Sequence, residues 1–277
     1  MSRMARGMRT EDSRPLSFVG AALWTIGVTL LLAIAVVITE SARPGAATDL
    51  VSITACHVLS YSTIIFVMLR IYEPETPVRR VVALRPASAA SIVLAGGLGA
   101  SVYPALNVLD TLVARRFPLP PDAHEHLATL LATPTLGRRV FLAASLLVLM
   151  PIAEEVFFRG VLFGGLRRGR NAGVVILGTA VCFAAARAEV PSFASVLALG
   201  LLLGWLRDRC GSIVPTVVAQ AAFFAVPIVP ILRGRDPLAD EVYSRAVILG
   251  GLVAAVICAA LVEWLSARAR AVREAEE

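Results

Sequence analysis

Apolar residues fall into eight runs separated by short polar stretches, at 16–39, 50–69, 87–109, 140–166, 172–186, 190–206, 211–232 and 246–265. Crossing the hydrocarbon core of a bilayer takes about 20 predominantly apolar residues as a helix. Backbone polar groups in lipid must be satisfied internally, which leaves helices as the economical answer for uncharged runs of this length. The pattern therefore predicts an all-α, polytopic membrane protein with about eight transmembrane helices in one bundle. The run at 172–186 is short, so it and 190–206 are expected either to tilt or to form a hairpin whose turn stays partly within the bilayer. Gly96, Gly97 and Gly99 in the third run allow close helix contact in lipid, and Pro104 is expected to kink that helix, because proline lacks the backbone donor.

The polar stretches divide the chain. Residues 1–15 read as a short cytoplasmic tail, 16–109 as three N-terminal spans and 110–139 as a long polar loop with a short interfacial helix around 124–131. Residues 140–232 form the core of the second half, and 233–277 a loop, the last span and a C-terminal tail. The first run is too long for a cleavable signal peptide and lacks a small-residue cleavage site at its end.

Composition narrows this picture. Apolar residues make up 57% of the chain, as expected of a multi-span protein. All 26 basic residues are arginine, with no lysine. With both termini inside, the inner segments hold about sixteen arginines and the outer loops about eight. This bias puts both termini in the cytoplasm, by the rule that basic residues stay inside. The basic charge is thereby accounted for by loops of an integral membrane protein, expected in the bacterial cytoplasmic membrane, which argues against nucleic acid as a partner. Cys56, Cys182, Cys210 and Cys258 lie in or beside apolar runs without CxxC spacing, and read as small packing residues.

Candidate chemistry concentrates at Met150-Pro151-Ile152-Ala153-Glu154-Glu155-Val156-Phe157-Phe158-Arg159-Gly160. Each charge near the middle of a span costs about 2.5–3.5 kcal/mol to insert, so ionisable residues there mark a functional site by default. Glu155 and Arg159 are spaced i, i+4 on one helix face, in the favourable order. Glu154 points about 100° away, free to serve another surface, where desolvation of a free carboxylate would suit a general base. Counting at about 1.5 Å per residue, Glu154 and Arg187 lie about 20 Å from the same boundary, and Gln220 somewhat shallower. Glu154 and Arg187 are therefore expected to be neighbours. His57 merely interrupts the second run. His124-Glu125-His126 has poor spacing for two helical metal ligands and reads as part of a solvated loop.

These residues resemble a known family. Glu154-Glu155-x-x-x-Arg159-Gly160, preceded by Pro151, is similar to the first motif of the CAAX prenyl protease type II and bacteriocin-processing family, also called Abi or CPBP. The second motif, Phe-x-x-x-His, aligns on Phe183-Ala184-Ala185-Ala186-Arg187. The third, His-x-x-x-Asn or Asp, aligns on Gln220-Ala221-Ala222-Phe223-Phe224. The lead-in Gly204-Trp205-Leu206-Arg207-Asp208-Arg209-x-Gly211-Ser212-Ile213-x-Pro215 and the segment Ala83-Leu84-Arg85-Pro86 also resemble the family. The resemblance implies an intramembrane endopeptidase acting on membrane-associated or lipidated polypeptides, with Glu154 activating water and Glu155 and Arg159 supporting it. Arg187, Gln220 and Phe224 occupy the family's two histidine positions and its asparagine position. Zinc takes three or four Cys, His, Asp or Glu ligands and arginine supplies none, so no metal or other cofactor is expected. Three readings stay open: a glutamate-dependent endopeptidase with a divergent site; a pseudoprotease that binds or scaffolds a membrane partner through a charge network; and a transporter or channel using the charges as a relay. Membrane lipids and a membrane-bound polypeptide are the expected partners.

Overall fold

A computed structural model of the chain describes residues 16–118, 120–187, 189–236 and 242–276. Residues 1–15, read above as a tail, lie outside them. Among the described residues the chain is built from helices and their connections, without β-strands. Eight long helices follow the eight apolar runs: α1 (Phe18–Ala42), α2 (Leu50–Tyr72), α3 (Ala89–Arg116), α4 (Leu136–Arg167), α5 (Ala172–Ala186), α6 (Phe193–Cys210), α7 (Val214–Leu232) and α8 (Arg245–Glu276). The protein is thus an all-α polytopic membrane protein. Six of the eight, all but α5 and α6, are long and apolar enough to cross a membrane.

Local chemistry sets where the helices begin. Ser17, Asp49, Ser88, Thr135 and Asn171 each accept a hydrogen bond from a backbone N–H of the first turn that follows, which satisfies a donor the helix cannot use itself. α6 ends at Gly211, whose φ of +64° places it in the left-handed region, the usual glycine stop. Helix boundaries outrun the apolar pattern. α3 continues through Pro104 and past 109 to Arg116, α4 starts at Leu136, and α8 runs on through the Arg/Glu tail. The hydrophobic run ends where burial in lipid would end, but the hydrogen-bond ladder continues until a breaker such as Pro118. The segment 110–139 is therefore largely helical, with a separate short helix at Pro121–Leu131 that carries the His124-Glu125-His126 sequence. α7 is a single helix despite Pro215, Pro227 and Pro230.

α3 packs against α7 and α8, α5 against α6, and α1 against α2 and α5. Small residues allow these approaches. A Cβ at Gly99 would overlap the backbone of Ala219 on α7, and one at Gly200 on α6 would sit 3.0 Å from the backbone of Ala180 on α5. In lipid, such close backbone packing is the main attraction between helices. The outer faces are apolar: Val19, Leu23, Ile26, Leu30 and Val37 of α1, and Leu249, Val253, Val256 and Trp264 of α8, are exposed. Polar groups turn inward instead. Glu154, Glu155, Arg159, Thr179, Thr216 and Gln220 are all buried. Against them packs an aromatic wall in which Tyr61, Phe157, Phe158 and Phe183 meet edge to face, with centroids 4.8–5.5 Å apart along the series.

Candidate active site in the bundle interior

α4 is not a uniform helix. Two π-helical stretches, Ser145–Leu149 and Val156–Leu162, flank a short α segment Met150–Glu155 that carries the two carboxylates. Widened turns of this kind change the register of the faces they separate and recur at functional sites. Gly160 lets the second stretch press against Val82, which a Cβ would approach to 3.1 Å.

Adjacent carboxylates leave this helix in different directions. Glu155 Oε1 accepts a hydrogen bond from Arg159 Nη1 at 2.6 Å, and both side chains are fully buried. Arg159 Nη2 donates to Gly200 O on α6 at 3.2 Å, and its guanidinium lies 4.3 Å from the centroid of Phe183. The Arg159 carbonyl accepts from Arg207 Nε at 3.0 Å. This pair ties α4 to α5 and α6.

Glu154 faces α2, α5 and α7. Its Oε2 accepts from Arg187 Nη2 at 2.9 Å and from Gln220 Nε2 at 2.6 Å. Its Oε1 stands 3.5 Å from His57 Nε2 on α2, a close approach rather than a formed hydrogen bond. Arg187, at the end of α5, is held between the rings of Phe183 and Phe224, at 5.6 and 5.4 Å. Its side chain is 32% exposed, whereas that of Glu154 is 3% exposed. Gln220 Oε1 is buried without a hydrogen-bond partner.

Glu154, Arg187, Gln220 and Phe224 are thus brought together, with Glu155 and Arg159 one helix face away. Glu154 is not free. The carboxylate expected to be free to serve another surface is spanned on one oxygen by a guanidinium and an amide, because Arg187 and Gln220 stand where the helices converge. His57 is the residue that motif spacing does not reveal. It belongs to a helix far upstream, stacks on Tyr61 with centroids 4.5 Å apart and planes 18° apart, and reaches Glu154 across the bundle. Its signal in the sequence is an ionisable side chain inside an otherwise apolar run, which by itself marks a site.

The donor set does not suit a metal ion. Around Glu154 the described residues offer His57 and the amide oxygen of Gln220, while Glu155 is committed to Arg159, and Arg187 places positive charge on the carboxylate that would have to bind a cation. No group of three or more His, Cys, Asp or Glu side chains converges among the described residues.

Residues 136–226, which hold α4 to α7 up to this centre, match the model of a family described as type II CAAX prenyl endopeptidase, Rce1-like. No curated protein and no solved structure matches the chain.

Proposed function

We propose, from the premise that the motif segment of this chain belongs to the type II CAAX prenyl endopeptidase family, that the protein engages membrane-associated or lipidated polypeptides at Glu154 without hydrolysing them. The observation that carries this reading is the double engagement of Glu154 Oε2 by Arg187 and Gln220. A general base must accept a proton from water. The guanidinium and the amide already donate to Oε2, so a water proton arriving there would have to displace one of them. The same two donors are the groups that would otherwise meet a developing oxyanion, and losing one such donor costs about 10²–10³ in rate. What remains is a polar centre in an apolar bundle, able to meet an extended polypeptide through the exposed edge of Arg187. The protein resides in the bacterial cytoplasmic membrane with both termini inside, the orientation that arginine placement supports.

The test uses the full chain in proteoliposomes with a prenylated CAAX peptide. The expected result is cleavage by the wild type no faster than by Glu154→Gln, while both retain bound peptide. Wild-type cleavage about tenfold or more above Glu154→Gln overturns it.

His57 favours a second reading, in which the protein is an active endopeptidase. Glu154 Oε1 takes a proton from water as the oxygen attacks the scissile carbonyl and later delivers it to the leaving nitrogen. His57, 3.5 Å from that oxygen, orients the water, and the N–H groups of Arg187 not bonded to Glu154 face the oxyanion. A glutamate–histidine pair assembled from α4 and α2 then replaces the pair the motifs would have built. In this reading His57→Ala abolishes turnover. In the first it changes neither cleavage nor peptide retention.

A further inference from the structure

Away from Glu154, the bundle has a cavity of about 510 Å³ where α2 and α4 end, a volume in the range of small-molecule sites. Glu154 is not among its lining residues. Gly165, on its wall, is eleven residues further along α4, about 16 Å at helical rise. Leu16, Met68 and Val161 form an apolar floor and are buried. Arg80, Arg85, Arg168 and Arg207 enter the same space.

The charges there are unbalanced. Arg168 is paired with Glu73, the more buried of the two carboxylates in the lining. Arg80 and Arg85 have no ion-pair partner among the described residues, and both are exposed. Arg207 spends its Nε on the carbonyl of Arg159 and lies over the ring of Phe163 at 5.4 Å, while its neighbour Asp208 pairs with Arg167 at 3.4 Å. Among the described residues, three guanidiniums without an ion-pair partner thus line the cavity, and Glu75 is the uncommitted acid of that lining.

The loop that presents Arg85 is built in an unusual way. Ala83 is buried with φ at +51°, the one non-glycine residue with positive φ among the described residues. Strain of this kind persists only where surroundings enforce it. Here the Ala83 carbonyl accepts from Ile213 N–H at 3.3 Å, and the Arg85 carbonyl accepts from Ser212 Oγ at 2.7 Å. The segment 83–85 is pinned to the turn between α6 and α7, which places Arg85 in the cavity lining.

The geometry points to a binding site for the phosphate of an anionic phospholipid, with Arg80, Arg85 and Arg207 around the headgroup and the upper acyl chain on Leu16, Met68 and Val161. Guanidinium groups suit phosphate because their fork donates two parallel hydrogen bonds. The apolar floor distinguishes an amphiphile from a free anion. The cavity also lies at the arginine-rich end of the bundle, the side that faces an anionic leaflet.

Native mass spectrometry of the purified full chain tests this, with phosphatidylglycerol and phosphatidylcholine of identical acyl chains, and with inorganic phosphate as a separate arm. Expected is retention of phosphatidylglycerol over phosphatidylcholine, reduced about tenfold or more in Arg80→Gln/Arg85→Gln, with no comparable retention of inorganic phosphate. Both substituted side chains are exposed, so helicity by circular dichroism should be unchanged. Equal retention of the two lipids overturns the proposal, as does unchanged retention in the double variant. Phosphate binding as tight as the lipid's overturns the assignment to a lipid. An equal loss in Arg115→Gln/Arg116→Gln, exposed arginines at the end of α3, overturns the site in favour of bulk charge.

Discussion

Glu154 and Glu155 are neighbours in sequence, both buried, and each is paired with an arginine, yet the two pairs are built for different ends. Glu155 and Arg159 are sealed, both fully buried, and made within one helix. Glu154 and Arg187 join α4 to the end of α5, and the guanidinium is about a third exposed, with Gln220 and His57 on the same carboxylate. The sealed pair has no route to a ligand and its geometry is set by the backbone of one helix. The other depends on three further helices holding their positions, and its arginine is accessible. Identical chemistry on adjacent residues therefore gives a fixed brace on one face and an addressable centre on the other. Glu154, which lies within the segment that matches the family model, falls on the addressable side, where its partners come from other helices and can differ without disturbing the brace.

This contrast predicts an order of stability effects. Arg159→Leu should be the most damaging substitution. It leaves the Glu155 carboxylate uncompensated in a fully buried position, and breaking a buried pair from one side costs about 3–5 kcal/mol. It also removes the donor to Gly200 O that joins α4 to α6. Unfolding in mild detergent monitored by circular dichroism should show a large drop in midpoint, or no folded protein. Arg159→Lys should rescue little, since a single ammonium cannot serve Glu155 and Gly200 together. Arg187→Ala should come next, at about 1–3 kcal/mol. Glu154 keeps its hydrogen bond from Gln220, and the arginine's partial exposure means that solvent already screens the pair. If Arg187→Ala were as damaging as Arg159→Leu, the centre would be a second sealed brace, and the comparison would fail.

Much of this contrast was legible from the residues, and its limits have physical causes. The i, i+4 spacing of Glu155 and Arg159 gives their pairing directly, because neighbours on a helix face are fixed by the helix itself. Counting residues from the span ends put Arg187 beside Glu154, since depth in a bilayer is a ruler shared by all helices. The same ruler gives no azimuth. It could not show that Arg187 and Gln220 converge on one oxygen of Glu154, or that α2 turns His57 towards the other. The two π-helical stretches of α4 were invisible, as no residue pattern there distinguishes a widened turn from an α turn. Helix ends were missed wherever polar turns extended an apolar run, as at Arg116 and Glu276. The motif alignment pointed to four residues of the centre, Glu154, Arg187, Gln220 and Phe224. It was silent on His57, which lies outside the matched segment.

Glu154→Gln probes the addressable side more gently. The amide replaces the anion, so Arg187 loses its ion pair but keeps an acceptor in the carbonyl oxygen of the new side chain. The expected loss is about 1 kcal/mol, the ordinary worth of a charge-assisted bond reduced to a neutral one. Detergent unfolding of this variant beside Arg187→Ala, with the double variant, gives their coupling energy. A coupling near zero would mean that the observed ion pair does not stabilise the protein.

The smallest effect belongs to His57→Phe, and it sharpens the comparison most. His57 makes no hydrogen bond to Glu154 at 3.5 Å, and its ring is held mainly by stacking on Tyr61. Phenylalanine preserves a flat ring for the stack on Tyr61 and leaves Glu154 its bonds from Arg187 and Gln220. The midpoint of unfolding should therefore move less than in Arg187→Ala. If it falls as far as in Arg159→Leu, the histidine carries a structural role that stacking does not explain. With the fold intact, peptide retention and cleavage can be read on the same sample. A site that only holds its polypeptide should keep its retention, because the carboxylate, Arg187 and Gln220 are untouched. A site that hydrolyses through the α2–α4 pair should lose turnover by orders of magnitude at unchanged stability. A fixed brace and an addressable centre are distinguished by that separation of function from stability, and His57 is the position where it can be measured with least disturbance to either.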